Sequence, residues 1–248
     1  MTRLSALALG LAIGGAYLLV PLSASAQEIT LALGDGGSVS ARSIQLILLI
    51  TVLSLAPGLA IMITCFPFLV TVLAILRQAI GLQQSPPNML IVSLALFLTY
   101  FIMEPVFTAA WQNGISPLIN ETIGVEAALI NAMEPFRGFM ANRVDPDTFR
   151  AMADLRPGLE GSSPDPKAPL SVLIPSFLLS EISRAFQIGF LVFLPFLIID
   201  LVVAAILMSM GMMMVPPAVV SLPFKLAFFV VADGWSLIAS ALVRSYYP

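Results

Sequence analysis

The chain has 248 residues, 59% of them hydrophobic and only 10% charged, with a mean hydropathy of +1.00; soluble domains carry about 25% charged residues, so this is a membrane-class composition whose long apolar runs need lipid or partner subunits to cover them. A formal net charge of −3 without any cluster of Lys or Arg excludes the electrostatic footprint of a nucleic-acid binder. Histidine is absent and Cys65 is the single cysteine, which removes the commonest general base, metal ligand and pH switch, together with any intrachain disulfide or cysteine metal site.

The amino end reads as an export signal. Arg3 supplies a positive start, residues 4–22 an apolar core weakened as a helix by Gly14 and Gly15, and Ala24-Ser25-Ala26 the small-x-small pattern cut by signal peptidase. Residues 1–26 are therefore expected to be removed between Ala26 and Gln27, leaving a mature chain that starts outside the cytoplasm. The alternative is a first membrane anchor that stays attached.

Residues 27–43 form a short polar, Gly-rich leader. Residues 44–111 read as a first helical hairpin. Its first arm runs to Leu76 and is interrupted by Pro57 and Pro67, so a kinked or broken helix is expected. The turn is Gln83-Gln84-Ser85-Pro86-Pro87-Asn88, and the second arm, from Met89 to Trp111, carries Glu104-Pro105.

Composition then changes. Residues 112–167 hold eight of the 14 acidic and five of the 11 basic residues. Within residues 112–170 the stretch 125–155 has apolar positions at helical spacing, and residues 156–166 are rich in helix breakers, so a small helical insert outside the cytoplasm is expected. Residues 171–248 form a second hairpin that turns at Met212-Met213-Met214-Val215-Pro216-Pro217. The predicted fold is all-α and membrane-associated: two long kinked helical hairpins plus the insert.

Two patterns qualify a simple four-span reading. Pro67-Phe68-Leu69, Pro86-Pro87 and Ile91-Val92-Ser93-Leu94 find echoes in Pro195-Phe196-Leu197, Pro216-Pro217 and Val219-Val220-Ser221-Leu222, either an internal repeat of the kind found in transport proteins or a likeness of composition. The loops expected in the cytoplasm, residues 77–88 and 211–217, hold one basic residue between them, against five in the outer insert, which violates the positive-inside rule. Glu104, Glu181, Arg184, Asp200, Lys225 and Asp233 lie in or beside apolar runs, where an unpaired charge costs several kcal/mol. Such helices are expected to face protein or a watery path more than lipid.

Three segments carry a resemblance to a known family. Pro175-Ser-Phe-Leu-Leu-Ser-Glu-Ile-Ser-Arg-Ala-Phe-Gln-Ile-Gly-Phe190 resembles the first signature of the FliP family of type III secretion proteins, with Ser176 where that pattern usually has Ala. Leu194-Pro-Phe-Leu-Ile-Ile-Asp200, running on to Ser209-Met-Gly-Met-Met-Met-Val-Pro-Pro217, resembles the second, and Leu222-Pro-Phe-Lys225 with Asp233-Gly-Trp235 resembles the carboxy-terminal stretch. The resemblance implies a non-enzymatic subunit, without cofactor or metal, of an export gate in the inner membrane at the flagellar basal body. There about five copies would assemble with FliQ and FliR beside FlhB, forming a tapered helical ring through which unfolded polypeptide passes.

On this reading Met212, Met213 and Met214, preceded by Met208 and Met210, are the gasket: flexible apolar thioethers from several subunits could seal a pore yet yield to a passing chain. The bland alternative is a lipid-facing or core methionine run. Glu181 and Arg184, three apart, share a helix face; the resemblance favours pairing of Glu181 with a neighbouring subunit. Lys225 needs a partner among Asp200, Asp233 and Glu181, and the residues leave that choice open. Phe136, Phe139 and Phe149 suit local packing or a subunit contact. Asp145, Asp147, Asp154 and Asp165 lack the spacing of a calcium loop and read as a solvated face.

Three other functions compete. A homologous gate subunit of a virulence injectisome shares these motifs, and the cleavable signal favours the flagellar member. An ion or small-molecule transporter could use Glu104, Asp200 and Lys225 as a relay. An intramembrane enzyme has no nucleophile, paired-Asp or metal motif to support it.

Overall fold

The computed structural model of the chain describes residues 39–81, 86–212 and 214–247. The export signal with Ala26 and Gln27, most of the leader, residues 83–85 of the first turn and Met213 lie outside them. Two units are distinguished, residues 1–52 and 53–248. In the first, the described part is the opening of helix α1 (Val39–Met62); everything below concerns the second.

Proline placement governs where the helices break. Pro57 is carried inside α1, whereas the chain breaks at Ile63-Thr64-Cys65, ahead of Pro67. Pro67 opens α2 (Phe66–Ile80), where its missing N–H has no helical acceptor to lose. Thr64 holds the break, its hydroxyl donating to the Ile61 carbonyl at 3.0 Å and accepting from the Phe66 N–H at 3.4 Å.

Helix α2 is the centre of the fold. Phe68, Leu69, Val72, Leu73, Leu76, Ala79 and Ile80 recur every three or four residues and are all buried. It packs most extensively against the long helix α7 (Leu170–Ser209) and also against α3 (Asn88–Ala110), so α2 lies between them. Each fully buried Phe or Leu here contributes about 1.5–3 kcal/mol. At the crossing with α7, Gly189 leaves room for Ile75.

Helix α3 carries Pro105 within it and runs through a π-helical turn, Trp111–Ile115, into the single turn α4 (Ser116–Ile119). The chain then enters α5 (Val125–Arg143) and α6 (Pro146–Ala153). Asp145 caps α6, accepting from the Thr148 N–H and hydroxyl, both at 2.8 Å; these donors hold its carboxyl below the usual carboxylate range. Asp145 also donates its own N–H to Ser180 Oγ on α7, at 3.0 Å. A second core joins Met140, Val144, Phe149 and Ala153 to Val172, Leu173 and Phe177 of α7. The three insert aromatics pack locally: Phe149 is buried in this core, Phe139 meets Phe177 edge-on at 5.7 Å, and Phe136 lies 5.9 Å from Phe107.

The second hairpin differs from the first. α7 runs 40 residues with Pro175 and Pro195 inside it, so Pro195 does not open a helix as Pro67 does. Its return arm is split into α8 (Pro217–Val231) and α9 (Gly234–Arg244), which meet at a bend of 61° around Asp233. Every regular element among the described residues is helical. Three helical stretches among them have the length and hydropathy to cross a membrane, Ser43–Met62, Asn88–Ile119 and Leu170–Ser209, or four if the bent α8–α9 pair counts as one span. The chain is an all-α membrane protein.

Gly114 marks a close approach of one helical backbone to another. A Cβ there would lie 2.6 Å from the Ala128 carbonyl oxygen and 2.8 Å from the Ala132 backbone nitrogen, so the π-helical turn sits directly on α5. Gly114→Ala is expected to lower stability by about 1–3 kcal/mol by prising the two apart. Gly138→Ala, where a Cβ meets nothing within 4 Å, is expected to be neutral or to gain about 0.5–1 kcal/mol. Denaturant unfolding of the two variants in the same detergent checks the contrast, and equal losses would contradict it.

Candidate functional site

Three places concentrate polar or unusual side chains in this apolar chain. The first is a buried knot around Glu181. This residue lies on α7, is 0% exposed, and takes partners on both carboxylate oxygens. Arg143, the last residue of α5, donates Nε to Oε1 at 3.0 Å, and the Tyr246 hydroxyl donates to Oε2. Arg143 also donates Nη1 to the Ser245 carbonyl at 2.7 Å, and its guanidinium lies 3.9 Å from the centre of the Tyr246 ring. That stacking offsets part of the cost of Arg143 Nη2, which is buried without a hydrogen-bond partner among the described residues. The insert, the long helix and the tail beyond α9 are thus tied at one point, with the ring of Phe68 on α2 in edge contact with Tyr246 at 5.6 Å.

Arg184, one turn from Glu181, stands farther off: its Nη1 is 3.7 Å from the Oε1 that Arg143 already holds. The chain's own partner for Glu181 is therefore Arg143 more than Arg184. Within the single chain the carboxylate of Glu181 is taken up by this internal partner and has no accessible surface. Ser176, at the position where the family pattern has Ala, is fully buried and its hydroxyl lacks a hydrogen-bond partner among the described residues, which is why the smaller residue suits that place.

The second place answers the question of Lys225. Its ammonium, on α8, lies 2.6 Å from Asp200 Oδ2 on α7 and donates to the Ala79 carbonyl at 3.0 Å. Ala79 is in the last turn of α2, whose carbonyls lack helical donors and attract a cation. Ser221 completes the group by donating to Asp200 Oδ1. Lys225 is only 5% exposed and the Asp200 side chain 30%, so this is a three-helix joint buried on the lysine side and partly open on the aspartate side. Of the three groups weighed as an ion relay, Asp200 and Lys225 meet, whereas the polar partner of Glu104 is Thr108, one turn away at 3.3 Å. Asp233 takes no part in the joint; it occupies the left-handed region at φ 48° and opens α9.

The third place is the methionine turn. α7 ends in a Schellman motif: the Met212 N–H bonds the Leu207 carbonyl at 3.0 Å and the Gly211 N–H bonds the Met208 carbonyl at 3.1 Å, with Gly211 at φ 76°. Gly is needed there because an L side chain would be strained. Pro216 and Pro217 then start α8. The two ends of the turn are thus anchored, while its described methionines are open. Met214 is 98% exposed, and Met208 and Met210 are also exposed. Beside it, Ile198, Val202, Ile206, Met212 and Phe224 line an apolar groove of about 530 Å³.

Sequence reasoning placed Glu181, Arg184, Asp200, Lys225 and the methionines, but it missed Arg143, Tyr246, Ser221 and the Ala79 carbonyl. Arg143 is one of the five basic residues counted in the polar stretch 112–167, and nothing in the sequence singles out Tyr246. The available signal was that a buried carboxylate on a long apolar helix demands a cation, and Arg143 closes the only long helix of the insert.

Lys225→Met is expected to destabilise the chain by about 1.5–3 kcal/mol by leaving the partly exposed Asp200 without its cation. Adding Asp200→Leu should recover a large part of that loss, since no charge is then stranded. Unfolding of the two variants in detergent checks this, and a single variant within about 1 kcal/mol of the parent would contradict it.

Comparison with known proteins supplies the remaining observations. The model of the FliP family matches residues 49–242. The chain is 48% identical over 236 residues to the Flagellar biosynthetic protein FliP of Caulobacter vibrioides, covering 93% of this chain and 87% of that one. It is 43% identical to the protein of the same name from Pectobacterium carotovorum, covering 96% and 92%. With that of Bacillus subtilis it shares 44% identity, covering 82% and 92%.

Proposed function

The chain belongs to the FliP family, and from that premise we propose that it is the pore-forming subunit of the flagellar export gate, through which unfolded flagellar proteins cross the bacterial inner membrane. The relatives carry the name of a flagellar biosynthetic protein, which supports the flagellar member over an injectisome homologue. A flagellar export component of this kind works by shape and not by bond chemistry, so no residue is assigned a catalytic part.

The observation that carries the proposal is the methionine turn. A turn anchored at both ends that presents uncovered thioethers is suited to form a soft ring when several copies stand side by side: unbranched side chains close on one another, deform around a polypeptide and bind none of its side chains tightly. About five copies with FliQ and FliR, next to FlhB, is the assembly proposed. In it the insert, α5 and α6, stands on the periplasmic side, and residues 1–26 act as a cleaved signal that sets this orientation despite the basic residues of the insert. The two buried joints have the complementary task of keeping α2, α7 and α8 rigid behind the turn, so that only the turn yields.

A small-molecule transporter is the weaker reading, because Glu104 stands apart from the Asp200–Lys225 pair and nothing described connects them. Deleting Met212 to Met214 is expected to leave the assembled complex intact on a native gel while cells expressing it become leaky to small ions, read as loss of membrane potential by a voltage-sensitive dye. An intact complex with an undiminished potential would remove the gasket role.

A further inference from the structure

Glu104 is the one carboxylate that the fold leaves exposed near the middle of a membrane-length stretch: it lies 16 residues into the 32-residue stretch Asn88–Ile119, and its polar partner is the Thr108 hydroxyl. A charge so placed is costly against hydrocarbon and calls for a cation. Its surroundings say which. Glu104 shares a recess of about 440 Å³ with Tyr100, Phe101 and Tyr247, and a carboxylate among aromatic faces suits a guanidinium, which accepts stacking and donates two parallel hydrogen bonds, better than a compact ammonium.

The chain carries such a group with its hydrogen-bonding capacity unused. Arg184 is 33% exposed in its side chain and donates no hydrogen bond among the described residues; its nearest acidic oxygen, at 3.7 Å, already accepts from Arg143. Asp145, which also feels the charge of Arg184, is engaged by Thr148. Adjacent tail residues put Arg184 and Glu104 at one level: Tyr246 donates to Glu181, one turn from Arg184, and Tyr247 donates to the Ile102 carbonyl at 2.7 Å, two residues before Glu104. They stand, however, on α7 and α3, the two helices that flank α2. Glu104 and Arg184 form no ion pair with each other within the one chain among the described residues.

We propose that Arg184 of one copy inserts into the Glu104 recess of the next copy, making a repeated head-to-tail contact between α7 and α3 of neighbouring chains. Two different, complementary patches on separate helices generate a ring or a helical array rather than a closed pair. The contact rests on the reading of this chain as a multi-copy gate subunit and names the surface by which copies join.

The test uses the full complex. Two differently tagged chains, both Cys65→Ala, are co-expressed, one with Thr108→Cys and the other with Gln187→Cys, positions one turn from Glu104 and Arg184. Mild oxidation is expected to give a product of twice the mass of the mature chain carrying both tags. In parallel, Glu104→Arg alone is expected to reduce assembled complex at least tenfold, and the swap Glu104→Arg with Arg184→Glu to restore it to within about twofold. A complex of parental mass that gives no two-tag product overturns the contact while leaving the multi-copy reading intact. So does cross-linking of Thr108→Cys to a different subunit. A native mass showing one copy per complex would overturn both. If the swap misfolds because Glu at 184 faces Glu181, the cross-link alone decides.

Discussion

The fold depends on how one carboxylate is satisfied inside an apolar chain. Glu181 has no contact with solvent, and an ion in such a place is tolerated only if geometry replaces its lost hydration. Arg143 and Tyr246 do so from two directions, one on each oxygen. Because Arg143 ends α5 and Tyr246 follows α9, satisfying that single group fixes the insert and the carboxy-terminal tail against α7 at once. Arg143 is in turn anchored by the Ser245 carbonyl and the Tyr246 ring. Neither partner could be displaced without stranding a charge, so the knot resists local opening more than the apolar contacts around it.

The joint of Lys225 with Asp200, Ser221 and the Ala79 carbonyl applies the same rule to the other hairpin arm. It locks α8 to α7 and to the end of α2, near the side of the molecule where the methionine turn lies in sequence. Between the two joints α2 is gripped by interdigitated apolar side chains. The consequence is that α7 and α8, which lead into and out of the methionine turn, are joined to each other and to α2 at one point.

Much of this was legible from residues alone. The all-α, membrane-class fold followed from composition, and the helices of the insert from the spacing of its apolar positions. The turn at Gly211 to Pro217 was marked by residues that cannot continue a helix. Local chemistry did not decide between Pro57 and Pro67 as the point of interruption, because a proline is tolerated either within a long helix that packing supports or at a helix start. Nor did it pair the charges. Lys225 had three acidic candidates, and the choice of Asp200 depends on α7 and α8 crossing where they do, which is a property of the packed core. Arg143 was invisible for the same reason, since 38 residues separate it from Glu181.

The knot can be examined with a double-mutant cycle on Arg143→Met and Glu181→Gln, by denaturant unfolding of the purified chain and its three variants in one detergent. If Arg143 and Glu181 depend on each other as their geometry requires, the two losses fall short of adding by about 2–3 kcal/mol, because the second substitution removes a group the first had already stranded. Losses that add to within about 0.5 kcal/mol would contradict it.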